Sequence, residues 1–183
     1  MTVVYAKRLN LPQSILMRPS RAFLSRAARA LLAYAAKMEY GADITAYTEK
    51  RTPSGKPYLD GAPFCFNLSH SGDYAVCALS PTAVGVDIEK IVPISLKVIR
   101  RFFGLSVLSP TEQMRLWTRY ESYGKMVGCG IPYPKGSERP CFYKEYRAID
   151  RYMITVCSEY DDFSDHIVLV DDDAFRLTPP ENE

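Results

Sequence analysis

The sequence predicts an α+β fold, and three observations carry that expectation. After Pro19, Ser20 stands ahead of a run in which Phe23, Leu24, Ala27, Ala28, Leu31 and Leu32 recur at helical spacing, with Gly41 as the stop. From Phe64 onward the pattern changes to short β-type segments divided by Ser-Gly and Ser-Pro turns. A further helix opens at Ser109-Pro110-Thr111-Glu112, a capping box with proline at the first helical position.

Taken in chain order, the opening MTVVYAKRLN has no long apolar run ahead of a small-residue cleavage site, and nowhere do 18 apolar residues follow one another. The expectation is a cytoplasmic protein with no membrane association. The first helix leaves Arg21, Arg29 and Lys37 off its apolar stripe. Residues 51 to 63, RTPSGKPYLDGAP, are turn chemistry and read as a loop. FCFNLSH, DYAVCAL and TAVGVDIE read as three strands, and SLKVIRRFF as a helix. The capped helix runs to about Gly128; on a helical wheel Leu116, Tyr120, Tyr123 and Val127 form its apolar stripe, and Glu121 falls on the flank beside Trp117. CFYKEYRAI, RYMITVC and HIVLV read as three more strands before a frayed end, TPPENE.

Composition narrows the function classes. A chain of 183 residues with 47% hydrophobic and 24% charged content fits one globular domain or two small lobes sharing a core. At this length roughly 70% of the unfolded surface can be buried, so neither disulfide nor metal is needed for folding, and a metal would be functional. With 23 Lys+Arg against 21 Asp+Glu, the net charge of +2 argues against a dedicated nucleic-acid or membrane-surface protein. Five cysteines without C-x-x-C spacing read as reduced core thiols. The charge is uneven: residues 1 to 56 hold ten basic residues against three acids, and residues 157 to 183 hold nine acids against Arg176. The front of the chain is anion-seeking, or the two ends neutralise each other on a folded surface.

Three constellations carry chemistry. In V-G-V-D87-I-E89 two carboxylates at i and i+2 of a strand leave the same face. Their repulsion is relieved by a hard dication such as Mg²⁺, which takes carboxylate oxygens at about 2.0–2.1 Å and keeps positions for phosphate; a solvated polar strand face is the alternative. Glu121 and Lys125 lie four apart on one helix face, either as a surface pair worth about 0.3–0.5 kcal/mol or as a further carboxylate or base with a fixed cation for a phosphate. Ser69, His70 and Ser71 end a strand at a turn suited to an anion, and Gly55-Lys56-Pro57 holds a lysine in a rigid turn. Structural roles in turns account for both equally well.

The order and spacing of these pieces resemble the Sfp-type, surfactin-synthetase-activating 4′-phosphopantetheinyl transferases. The likeness rests on GKP at 55–57, FNLSHSGDYAVCAL at 66–79, VGVDIEKIVPIS at 84–95, RRFF at 100–103 and W117-T-R-Y-E121-S-Y-G-K125 followed by GCGI. It implies a pseudo-twofold pair of α+β lobes, here residues 1–83 and 84–183, with coenzyme A as co-substrate in the cleft between them. It also implies Mg²⁺, with Mn²⁺ as a substitute, on Asp87, Glu89 and Glu121. Glu121 and Lys125 become the catalytic candidates, and Gly55, Lys56, Pro57, Ser69, His70 and Arg29 the coenzyme-binding ones, with Lys56 and Pro57 by the adenine and Ser69 and His70 by the 3′-phosphate. The implied reaction moves phosphopantetheine from coenzyme A to a serine of an acyl or peptidyl carrier protein, by a monomeric enzyme. A carrier would dock on Lys97, Arg100 and Arg101. A non-turning coenzyme A or carrier-binding module and a Mg²⁺ phosphohydrolase of small nucleotides are the competing readings.

The chain departs from the family pattern in three places. Tyr120 stands where a lysine is usual, with Arg119 or an N-terminal arginine as possible replacement. Ser14 and Met17 stand near expected lysines, leaving Arg18, Arg21 or Arg29 to serve. The link from Gly130 to Cys141 is short.

Overall fold

The computed structural model describes residues 1–9, 20–104, 108–132, 139–171 and 173. The fold is α+β. Strands β1 (Val3–Arg8), β4 (Cys65–Ser71), β5 (Tyr74–Ser80) and β9 (Val168–Val170) form one sheet in the order β4-β5-β1-β9, in which only the β1–β9 pair is parallel. Strands β6 (Val84–Lys90), β7 (Phe142–Tyr146) and β8 (Tyr152–Ser158) form an antiparallel sheet in the order β6-β8-β7. The α-helices are α1 (Arg21–Tyr40), α2 (Leu96–Phe103) and α3 (Pro110–Val127). Among the described residues no helix is long and apolar enough to cross a membrane.

Strand alternation explains the layering. In β1 and β5, Val3, Tyr5, Ala75, Cys77 and Leu79 pack against the α1 stripe, while Val4, Ala6, Val76 and Ala78 point the other way and meet Val84, Val86, Ile88, Ile154 and Val156 of the second sheet. The remaining face of that sheet carries Cys157 against Tyr123 and Met126 of α3. The layers therefore run helix, sheet, sheet, helix. Both β1 and β5 are buried on two faces, which is why they read as nearly continuous apolar runs.

Helix ends follow their capping residues. The Ser20 hydroxyl accepts the Phe23 N–H at 3.2 Å at the start of α1, and Ser109 and Glu112 form the reciprocal capping box of α3. On α2, Lys97, Arg100 and Arg101 are exposed.

Three expectations are corrected. The loop expected over 51–63 contains a strand: β2 (Thr48–Arg51) and β3 (Pro57–Asp60) pair antiparallel, and the turn is confined to Thr52–Lys56, where the Thr52 N–H donates to the Lys56 carbonyl at 2.9 Å. Pro57 is tolerated as the first residue of a two-stranded ribbon, and burial of Leu59 holds the ribbon to the core. The buried face of α3 is Met114, Thr118, Ser122, Tyr123, Gly124 and Met126; of the expected stripe only Tyr123 is buried. The helix lies so close to β6 that a Cβ on Gly85 would overlap the Ser122 carbonyl and the Met126 amide, so small residues face the sheet. Tyr120 turns instead to α2, 5.5 Å from Phe102 and 5.8 Å from Phe103 between ring centroids. All five cysteines are free, but only Cys77 and Cys157 are core thiols; Cys65 begins an edge strand and Cys129 follows the α3 cap, and both are exposed.

Candidate active site

Strand β6 pairs with β8 on one side, and its other edge is met by side chains of β4 in place of a main-chain ladder. Asn67 Oδ1 accepts the Val86 N–H at 2.9 Å, Ser69 Oγ the Ile88 N–H at 3.4 Å, and Ser71 Oγ the Lys90 N–H at 3.3 Å. Alternate residues of one strand thus satisfy alternate amides of the other. This seam fixes β6 so that Val84, Val86 and Ile88 enter the core between the sheets, while Gly85, Asp87 and Glu89 face α3.

Lys125 reaches from α3 to this face. Its Nζ lies 2.6 Å from Asp87 Oδ1, 2.9 Å from Ser69 Oγ and 3.8 Å from Glu121 Oε2. Ser69 Oγ donates to Asp87 Oδ1 at 2.9 Å while accepting from Lys125 and Ile88, which uses all its hydrogen-bonding capacity. Ser71 Oγ donates to Glu89 Oε2 at 2.8 Å. Asp87 is 1% exposed, and its Oδ2 is buried without a hydrogen-bond partner.

The carboxylates share one electrostatic environment. Burial pushes Asp87 above the usual carboxylate range, against the pull of Lys125 and Ser69. Burial, then the charge of Asp87, raises Glu89, with Ser71 pulling it back. Glu121 is pushed up to about 7 by burial and then by Asp87; Glu89 adds to the rise, and Lys125 and a hydrogen bond from Trp117 oppose it. An unfolded glutamate ionises near 4.5, so between that pH and about 7 the folded chain holds the extra proton. The contribution of Glu121 to unfolding free energy in the absence of divalent cations is therefore expected to fall as pH rises through this window. Denaturant titrations of the wild type and Glu121→Gln across the window check this; a wild-type advantage over the variant that grows with pH there contradicts it.

Two cavities meet at these residues. One, of about 310 Å³, is lined by Gly55, Lys56, Pro57 and Asn67 together with Glu121 and Lys125. The other, of about 410 Å³, is lined by Ser69, His70, Asp87 and Glu89, again with Glu121 and Lys125. The expected residues Gly55, Lys56, Pro57, Ser69, His70, Asp87, Glu89, Glu121 and Lys125 are thus assembled around one connected cleft wall. Lys56 Nζ donates to the Val84 and Met126 carbonyls, each at 2.9 Å, and burial lowers its pKa to about 8. Burial and then Lys125 lower that of His70, which stands on the rim.

Arg29 lines neither cavity and pairs with Glu49. Arg119 is turned away as well, with its guanidinium 4.4 Å from the Tyr143 ring centroid and 3.7 Å from Glu145. Ser14, Met17, Arg18 and the TPPENE end lie outside the described residues. The sequence placed Asn67, Ser69 and Ser71 at an anion-suited turn; their role in gripping the amides of β6 was not foreseen, although their polar alternation was the signal.

Among the described residues no group of three or more His, Cys, Asp or Glu side chains stands close enough to hold a metal as it is; Lys125 lies between Asp87 and Glu121. The donor set nevertheless fits a hard dication. Its oxygens are all carboxylate, they line one cavity, and the buried Asp87 Oδ2 has no other partner.

No protein-family model matches the chain. It is 32% identical over 166 residues to a 4′-phosphopantetheinyl transferase of Bacillus subtilis, covering 75% of this chain and 74% of that one. It is also 32% identical over 145 residues to 4′-phosphopantetheinyl transferase Sfp of Bacillus subtilis strain 168, covering 63% of this chain and 65% of the relative. With an L-aminoadipate-semialdehyde dehydrogenase-phosphopantetheinyl transferase of Xenopus laevis the identity is 36% over 107 residues, 45% of this chain and 35% of the other. The chain belongs to the Sfp-type 4′-phosphopantetheinyl transferase family. It spans about two thirds to three quarters of the length of these Bacillus relatives.

Proposed function

We propose that this chain transfers 4′-phosphopantetheine from coenzyme A to a serine hydroxyl of an acyl or peptidyl carrier protein, releasing adenosine 3′,5′-bisphosphate. The observation that carries the proposal is the convergence of Asp87 and Glu89 of β6 with Glu121 and Lys125 of α3 on one cavity, Glu121 and Lys125 lining the neighbouring cavity as well. The reading treats residues 1–83 and 84–183 as two lobes flanking the coenzyme. Gly55, Lys56 and Pro57 take the adenine end, and Ser69 and His70 lie by the 3′-phosphate, His70 from the rim while the Ser69 hydroxyl stays committed to Asp87 and Lys125. Asp87, Glu89 and Glu121 would hold Mg²⁺, or Mn²⁺ in its place, which when bound supplies charge neutralisation on the pyrophosphate.

In the transfer, the carrier serine Oγ forms a bond to the phosphorus next to pantetheine, and the bond from that phosphorus to the oxygen bridging the two phosphates breaks. The serine proton passes to Glu121, a half-buried carboxylate that lines both cavities. The Lys125 ammonium stabilises the phosphoryl oxygens, its Nζ already oriented by hydrogen bonds to Asp87 and Ser69. The test is incubation of apo carrier proteins with the chain, coenzyme A and Mg²⁺, followed by intact mass analysis. A phosphopantetheine adduct on serine is expected; no adduct on any of a panel of acyl and peptidyl carriers overturns the proposal.

A further inference from the structure

We infer that Ser71, which lines neither cavity, is the positioning residue for Glu89: its hydroxyl aims that carboxylate into the cation-binding cluster while fastening β4 to the edge of β6. The inference rests on the functional reading above.

Three β4 side chains grip β6 with one stride, but they stand differently toward the cleft. Asn67 lines the first cavity and Ser69 the second, whereas Ser71 lies beyond both. Ser71 therefore acts on the site only through what it holds. Its Oγ accepts the Lys90 N–H at 3.3 Å and donates to Glu89 Oε2 at 2.8 Å, so the Glu89 carboxylate is tied to the backbone one residue beyond its own. The tie opposes two tendencies. Glu89 is only half-buried, so solvent is open to it, and the charge of Asp87 on the same strand face repels it. Without the hydroxyl, both favour rotation of the carboxylate out of the cluster, and ordering its rotatable bonds must then be done by the cation itself. Ser69 makes the equivalent grip on Asp87, but the Lys125 ammonium also hydrogen-bonds that carboxylate; among the described residues no second side chain hydrogen-bonds Glu89 beside Ser71. Lys90 is exposed, so water can replace the bond to its amide, and loss of the Ser71 hydroxyl weighs on the site more than on the fold.

The experiment is calorimetric titration of Mg²⁺ into the full chain carrying coenzyme A, for the wild type, Ser71→Ala and Ser71→Thr, with carrier modification measured on the same preparations. Groups that orient a metal ligand typically govern affinity by about 10–100-fold, and a Mg²⁺ affinity weakened by that factor is expected for Ser71→Ala, with the wild-type value restored in Ser71→Thr. If Ser71→Ala does not fold, Ser71→Cys, with its weaker donor, is read in its place and a smaller loss is expected. Wild-type chain that binds Mg²⁺ and modifies carriers, with Ser71→Ala binding the ion equally tightly, overturns this inference alone, as does Ser71→Thr binding as weakly as Ser71→Ala. Wild-type chain that neither binds Mg²⁺ nor modifies any carrier overturns the functional reading and this inference together.

Discussion

Lys125→Ala is expected to lower the rate of carrier modification by about 10²–10³-fold, equivalent to about 2.7–4 kcal/mol, as when one preorganised donor to a developing charge is removed. The ammonium is held by Asp87 Oδ1 and Ser69 Oγ before any substrate arrives, so its orientation costs nothing at the moment of reaction. Lys125→Arg should not restore the rate, because a planar guanidinium cannot reproduce a compact cation among the Asp87, Ser69 and Glu121 oxygens. The stability of Lys125→Ala is expected to fall as pH rises, because burial already raises Asp87 and the variant removes the ammonium that opposes the rise, leaving an unpaired charge beneath α3 as the carboxyl ionises. Steady-state rates alongside unfolding curves at two pH values separate the two effects. Wild-type rates in Lys125→Ala contradict the role.

The largest structural effect is expected at Gly85. A methyl group there would overlap the Ser122 carbonyl and the Met126 amide, both backbone atoms of α3 that cannot rotate aside. Gly85→Ala is expected to destabilise the chain by about 3 kcal/mol, a fall in melting temperature of roughly 6–12 °C. Any relaxation must lift α3 from β6, and α3 carries Glu121 and Lys125 while β6 carries Asp87 and Glu89. Activity should therefore fall further than stability alone requires at temperatures where the variant is folded. Circular dichroism melts and low-temperature rates check this; a melting temperature equal to the wild type contradicts the close packing.

Much of the fold and of the site was legible in the sequence because local signals were strong. Ser20 and Gly41 bound α1, and Ser109 and Glu112 open α3. Alternation in VGVDIE put Asp87 and Glu89 on one face, and the i,i+4 spacing put Lys125 within reach of Glu121. What escaped was decided by tertiary contact. Strand β1 contains no turn or alternation signal, since both its faces are buried. The β2–β3 ribbon is masked by the glycine and prolines around it. The true inner face of α3 holds Thr118, Ser122 and Gly124, polar or small residues that an apolar wheel ranks as outward; the Thr118 and Thr155 hydroxyls meet there at 2.7 Å. The β4–β6 seam was hidden for a similar reason, because Asn67, Ser69 and Ser71 alternate as a solvent-facing strand edge would. Arg29 was expected at the coenzyme as a stand-in for basic residues the family resemblance implies, and it pairs with Glu49 elsewhere.

The most direct test of the account is the initial rate of carrier modification by the wild type and by Asp87→Ala, each with a divalent cation and after its removal by chelation. The account predicts modified serine only from the wild type with the cation present, while Asp87→Ala remains folded and inactive under both conditions. Equal rates from Asp87→Ala, or a wild-type rate indifferent to the chelator, would contradict it.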